Sequence, residues 1–276
     1  DVEMPRMDGL TFLEKVMGYI PTRTIIISSL AKKQSETALR ALELGAVDVL
    51  EKPSLDVTKN MEELGATIAE KIRTVAKARL IAPVKSSTPR STVATGALAQ
   101  TTHQILAIAS STGGTEALKV LLGGLPADLP GTVIAQHMPP GFTKTYAESL
   151  NTRYAFEVRE AQEGDRVHPG RVLIAPGNYH MELVRSGGYY HVKLHQEPLM
   201  HGVRPAADYL MKTVAKYAGA NAVGVVLTGM GKDGAAGLLE MKKAGAFTLA
   251  QSERTCVVYG MPGAAVAAGG VDKILD

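Results

Sequence analysis

Two apolar rhythms alternate along this chain. Short aliphatic runs, of the kind a strand shows when both its faces are buried, occupy residues 24–28, 47–50, 105–109, 132–136, 171–175, 222–227 and 246–251. Between them, apolar residues return every three or four positions, the spacing that gathers them on one side of a helix. This predicts helices over 9–18, 35–44, 61–80, 115–122, 204–217 and 234–244, with Gly45 as a stop signal for the second. Residues 181–185 and 189–196 flank Ser186-Gly187-Gly188 and predict a hairpin. Strands alternating with helices predict an α/β protein with a doubly wound, mostly parallel sheet and helices on both faces. Functional residues then belong at the carboxyl ends of strands.

The rhythm breaks over residues 81–100. The stretch is polar, carries two prolines and has no periodicity, so it cannot bury enough apolar surface to offset its ordering entropy. We expect a linker there, dividing the chain into an α/β segment (1–68), a helix and linker (69–102) and a larger block (103–276). The 276 residues are 45% hydrophobic and 21% charged, which excludes wholesale disorder. The single cysteine, Cys256, excludes a disulfide framework or a multi-cysteine zinc site. A net charge of +3 gives no reason to expect nucleic acid. The chain has neither a membrane-length apolar run nor a signal-peptide pattern, so a soluble cytoplasmic protein without membrane insertion is expected. Asp1 stands where a natural start would have Met, and we expect a fragment or a processed form.

Three strand ends carry candidate chemistry. After the strand at 105–109 comes Ser110-Ser111-Thr112-Gly113-Gly114, a serine on a tight strand-to-helix turn resembling the nucleophile elbow, with Ala109 in place of its first glycine. The simpler reading is a serine that caps the next helix. After the strand at 132–136 comes His137, a candidate general base or an ordinary loop histidine. After the strand at 222–227 comes Thr228-Gly229-Met230-Gly231-Lys232-Asp233-Gly234. Asp233 could orient a histidine, or simply favour a helix N-terminus. A parallel sheet can bring the three ends together, as a serine nucleophile, a base and an orienting acid require. The order Ser, His, Asp differs from that of the α/β-hydrolases. One rival stands: Gly229, Gly231 and Gly234 spell the dinucleotide fingerprint, with Glu253 at a fitting distance, although Asp233 would repel a pyrophosphate. The P-loop pattern fits less well, since Val226 takes its first glycine and Asp233 its Ser/Thr.

Several motifs in order strengthen the hydrolase reading. Ser110-Ser-Thr-Gly-Gly-Thr-Glu-Ala-Leu118, Gln136-His-Met-Pro-Pro-Gly-Phe-Thr143, Ile174-Ala-Pro-Gly177, Arg204-Pro-Ala-Ala-Asp208, the segment 227–237 and Cys256-Val-Val-Tyr-Gly-Met-Pro262 resemble the bacterial chemotaxis protein-glutamate methylesterase family, CheB. Ala109-Ser110 departs from the Gly-Ala expected there but keeps small side chains. Asp1-Val-Glu-Met-Pro-Arg-Met-Asp-Gly9 resembles a response-regulator receiver domain from its phospho-accepting aspartate onward. The resemblance implies a methylesterase domain preceded by a partial receiver segment and a linker. It also implies hydrolysis of glutamate methyl esters on chemoreceptors, with methanol released, and deamidation of certain receptor glutamines. Ser111, His137 and Asp233 would form the triad, with amides near Thr112 and Met230 as oxyanion donors, and no cofactor or metal in catalysis. Asp1 would be the phosphorylation site, Ser28 and Lys52 the receiver's switch residues and a histidine kinase the phosphodonor. Mg2+ would serve receiver phosphorylation in an intact chain. With the receiver's first strands expected before Asp1, an uncovered, constitutively accessible esterase is the expectation. A non-enzymatic scaffold is the remaining alternative.

Overall fold

The structure, a computed structural model, describes residues 4–28, 32–51, 61–80 and 104–276. The predicted linker, like Asp1 and Lys52, lies outside them. The N-terminal segment comprises α1 (Gly9–Tyr19), β1 (Ile25–Ser28), α2 (Lys32–Glu43), β2 (Asp48–Glu51) and α3 (Met61–Val75). Asp8 caps α1, accepting from Thr11 N at 2.9 Å. β1 and β2 pair in parallel, Ile25 opposite Asp48 and Ser28 opposite Glu51. The third predicted helix ends at Val75 rather than Leu80. Its tail makes tight turns and docks onto the larger block, Arg79 N donating to Val257 O at 3.0 Å.

The larger block runs β3 (Ile105–Ser110), α4 (Gly114–Gly123), β4 (Gly131–Gln136), α5 (Phe142–Asn151), β5 (Glu157–Glu160), β6 (Arg166–Val167), β7 (Arg171–Ile174), β8 (His180–Ser186), β9 (Tyr189–His195), α6 (Ala207–Tyr217), β10 (Ala222–Val226), α7 (Ala235–Lys243), β11 (Phe247–Gln251), α8 (Met261–Ala267) and β12 (Lys273–Leu275). Seven strands form one parallel sheet in the order β12-β11-β10-β3-β4-β7-β5. The doubly wound expectation therefore holds. β8 and β9 form the predicted hairpin, Ser186 opposite Tyr189 across a two-residue loop, with β6 added at its edge.

Burial explains the aliphatic runs. Along β3, Ile105, Ala107 and Ala109 enter one core while Leu106 and Ile108 enter the other, so both faces of this central strand are covered. The first core contains α6, α7, α8 and the hairpin; the second contains α4 and α5. Leu13, Ile26, Leu39 and Leu42 of the N-terminal segment join the second core beside Leu118 and Phe142. Each large aliphatic side chain buried this way contributes about 1.5–3 kcal/mol.

The chain order sets the site. From β3 the sheet grows through β4 to β7 and β5, then returns to the other side of β3 through β10, β11 and β12. The direction of winding reverses at β3, and a crevice opens at the carboxyl ends there. β10, β3 and β4 are neighbours, so the three strand ends singled out in the sequence are adjacent.

Candidate active site

The turn after β3 is built by hydrogen bonds from both flanking strands. Ser111 N donates to Thr228 O and His137 N to Ser110 O, each at 3.0 Å. Gln136 clamps the junction: its Oε1 accepts from Ser110 Oγ at 2.6 Å and its Nε2 donates to Ser111 O at 3.0 Å. Thr228 Oγ1 donates to Thr112 O at 3.0 Å and accepts from Val258 N at 3.0 Å. Gly113 immediately precedes α4 at φ +77°, a left-handed conformation costly for other residues, and a Cβ there would lie 2.6 Å from Val257. α4 has no side-chain cap at its N-terminus, so the capping reading of Ser111 fails. The Ser111 hydroxyl has no hydrogen-bond partner among the described residues, nor do the amides of Thr112 and Met230.

His137 leaves β4 with its ring turned to Asp233, Nε2 lying 2.8 Å from Oδ2. A carboxylate only accepts, so Nε2 carries the proton and Nδ1 of the neutral ring is left as an acceptor. Nδ1 has no protein partner among the described residues, and His137 and Ser111 line one small cavity with Gln136, Met138 and Asp48. Asp233 is 2% exposed and fully engaged. Its Oδ2 also accepts from Ala207 N at 2.6 Å, and its Oδ1 from Asp208 N at 3.0 Å and Gly234 N at 2.9 Å. It therefore caps α6 rather than only starting α7, which explains why α6 begins at Ala207 and not at 204. Burial pushes its carboxyl up, but the bond and charge of His137 and the amides of Ala207 and Asp208 outweigh burial and hold it below the ordinary 3.8.

The dinucleotide reading would seat a pyrophosphate beside Gly231, where a Cβ would meet nothing, but the buried Asp233 carboxylate already takes the amides of Asp208 and Gly234 there and would repel a second anion. Cys256 is no rival nucleophile: burial pushes its thiol up to about 12. One trio of metal-ligand type, His201, Asp208 and Asp233, has its ligand atoms within 4.8 Å of one another among the described residues. Backbone amides and His137 already occupy both oxygens of Asp233, and Gly237 N occupies Oδ1 of Asp208 at 2.6 Å. Such a donor set serves hydrogen bonding, not a cation.

The N-terminal segment reaches this site. Thr112 Oγ1 donates to Asp48 Oδ2 at 2.6 Å, which also accepts from Lys71 Nζ at 3.0 Å. Thr74 Oγ1 approaches Met230 Sδ at 2.9 Å. Ser111 is 8% exposed and shares its cavity with Val47, Asp48 and Val49 of the N-terminal segment, so the expectation of an uncovered serine is not met. Ser28, the expected switch residue, is buried at the end of β1. Sequence reasoning missed Gln136, Thr228, Asp208 and His201. Gln136 and Thr228 flank predicted strand ends, but nothing in their residue type marks a clamp.

The residues matched by known families divide as the chain does. Residues 106–276 match the CheB methylesterase family and residues 1–64 the response regulator receiver domain family. The chain is 69% identical, over 280 residues, to a protein-glutamate methylesterase/protein-glutamine glutaminase of Bdellovibrio bacteriovorus, an alignment covering 100% of this chain and 79% of that protein. It is 51% identical over 276 residues to the protein of the same name from Salmonella typhimurium, covering 100% of this chain and 78% of that protein. The crystal structure of the Thermotoga maritima CheB methylesterase catalytic domain superposes with a TM-score of 0.62 at 38% identity, over 63% of this chain and 93% of that one. With the fold, the strand ends and these matches in agreement, the chain belongs to the CheB methylesterase family and carries a receiver-type segment ahead of its catalytic block.

Proposed function

We propose that this chain hydrolyses glutamate methyl esters on chemoreceptors in the cytoplasm, with Ser111, His137 and Asp233 as its catalytic residues. The observation that carries this reading is the polarised pair at the switch of the sheet. Asp233 fixes His137 with Nε2–H inward, and His137 and Ser111 line one small cavity. In the reaction, Ser111 Oγ attacks the ester carbonyl while His137 Nδ1 takes its proton. His137 then returns that proton to the departing methoxide, and methanol leaves. Water, deprotonated by the same histidine, cleaves the acyl-enzyme and frees the glutamate carboxylate. The unpaired amides of Thr112 and Met230 are suited to the oxyanion. Deamidation of receptor glutamines needs the same steps with ammonia leaving.

The division into 1–68, 69–102 and 103–276 belongs to this reading, supported by the two family matches at 1–64 and 106–276. Phosphorylation by a histidine kinase, at Asp1 with Mg2+, and switch roles for Ser28 and Lys52 follow from the receiver match; no catalytic step above passes through the metal. Replacement of Ser111 by Ala is expected to lower methanol release from methylated receptor membranes by about 10³-fold or more, with the fold retained. Near-normal release would overturn the assignment.

A further inference from the structure

The buried carboxylate of Asp233 is not alone. Asp208, 1% exposed, lies beside it on α6. Its Oδ2 faces His201 Nε2 at 2.8 Å, and the same nitrogen is 3.8 Å from Asp233 Oδ1. Asp233 thus stands between two imidazoles, His137 on one oxygen and His201 toward the other. His201 is held there by its backbone. Met200 and Val203 exchange hydrogen bonds at 3.0 and 3.2 Å, and His201 and Gly202 between them have φ of 55° and 75°. Positive φ at both central residues is a type I′ turn, a conformation that glycine takes freely and histidine takes at a cost. The turn aims this imidazole at the acid pair while leaving 28% of the side chain in contact with solvent, so it can exchange protons.

We propose that His201 is a positioning residue for the hydrolytic reaction, its charge setting how firmly His137 holds a proton through the Asp208–Asp233 pair. The proposal rests on the hydrolase reading above. With His201 neutral, His137 faces two adjacent negative charges and keeps its proton to higher pH. With His201 protonated, one of those charges is offset, and His137 is released as a base at lower pH. No other charged side chain competes for this position among the described residues. Arg204 is turned away to Asn178 Oδ1 and the carbonyls of Gln196 and Glu197. His180 also feels the charge of Asp233, but it is bonded to Ala206 N and Pro198 O, and burial above all pushes its imidazole below the ordinary value, toward the neutral form. Lys232, next to Asp233 in the chain, is exposed.

The test is the pH profile of kcat/KM for methanol release from methylated receptor membranes, from about pH 5 to about pH 9, across the histidine range. His201→Gln keeps a donor to Asp208 and loses the charge; His201→Lys keeps a charge. The acid limb of His201→Gln is expected to move up by about half to one pH unit, the effect of one charge acting through a partly screened interior. The limb of His201→Lys should stay at or below that of the unaltered chain. A His201→Gln profile that superimposes on the unaltered one overturns the proposal. So does a lysine variant that shifts with the glutamine one, or an equal loss in both at every pH. Should His201→Gln fail to fold, proton NMR titration of the unaltered chain decides: the His137 ring resonance must show a second inflection where His201 titrates, and a single inflection rejects the idea. Ser111→Ala separates the two readings, since full activity in that variant removes the hydrolase assignment itself, whereas coincident limbs remove only the role of His201.

Discussion

A histidine works as a base only when one nitrogen is committed and the other is free. Here the commitment comes from Asp233, whose two oxygens accept three backbone amides besides His137. Asp233→Asn would set an amide N–H against those donors and deprive Nε2–H of its acceptor. Turnover is expected to fall by about 10³–10⁴-fold, measured as methanol release. The same variant has a pH signature in stability. Asp233's folded carboxyl is held below 3.8, so its charged form stabilises the fold above that value, and the contribution is lost as pH falls through the lower folded value. Urea unfolding at neutral pH and in increasing acid should show the gap between the two proteins full near neutrality and closing in acid.

At the level of elements, the site is a junction of three turns locked by small residues. Gly229 sits where the turn after β10 passes Met261 of α8 and the Cβ of Ser111. Gly229→Ala would push these apart and is expected to cost about 1–3 kcal/mol of stability by overpacking. It should also displace Ser111, so turnover should fall beyond what the lost stability explains. Denaturant unfolding and methanol release on the same sample separate the two effects. β3 has no slack to absorb such a shift, since its residues alternate between two filled cores.

For the whole molecule, the N-terminal segment packs against the catalytic block and shares a core with it, and it is proposed to cover the site. Asp48 and Thr74 touch Thr112 and Met230, the two residues whose amides are proposed as oxyanion donors. Removing the first contact with Asp48→Ala is expected to speed labelling of Ser111 by a covalent serine-hydrolase probe by about two- to tenfold, the equivalent of one net hydrogen bond. Unchanged labelling would mean that the cover is held elsewhere, by α2 and α5. No helix among the described residues is long and apolar enough to cross a membrane.

What the sequence determined is what is written locally. Period-two and period-3.6 patterns gave the central strands and most helices, because which faces are buried is encoded residue by residue. They missed α5, whose Phe142, Tyr146 and Leu150 are spaced among polar residues; β5, whose Glu157-Val-Arg-Glu160 is an edge strand too charged to read as one; and α8, whose Ala- and Gly-rich sequence has no apolar stripe. The three candidate side chains were also legible, since each follows a recognisable strand. Tertiary structure decided the rest. Asp233 meets His137 across 96 positions, Thr112 meets Asp48 across 64, and His201 reaches the acid pair only through a turn whose aim no local pattern records. Such pairings depend on the order in which strands dock, which is settled by the packing of the whole chain rather than by any single segment.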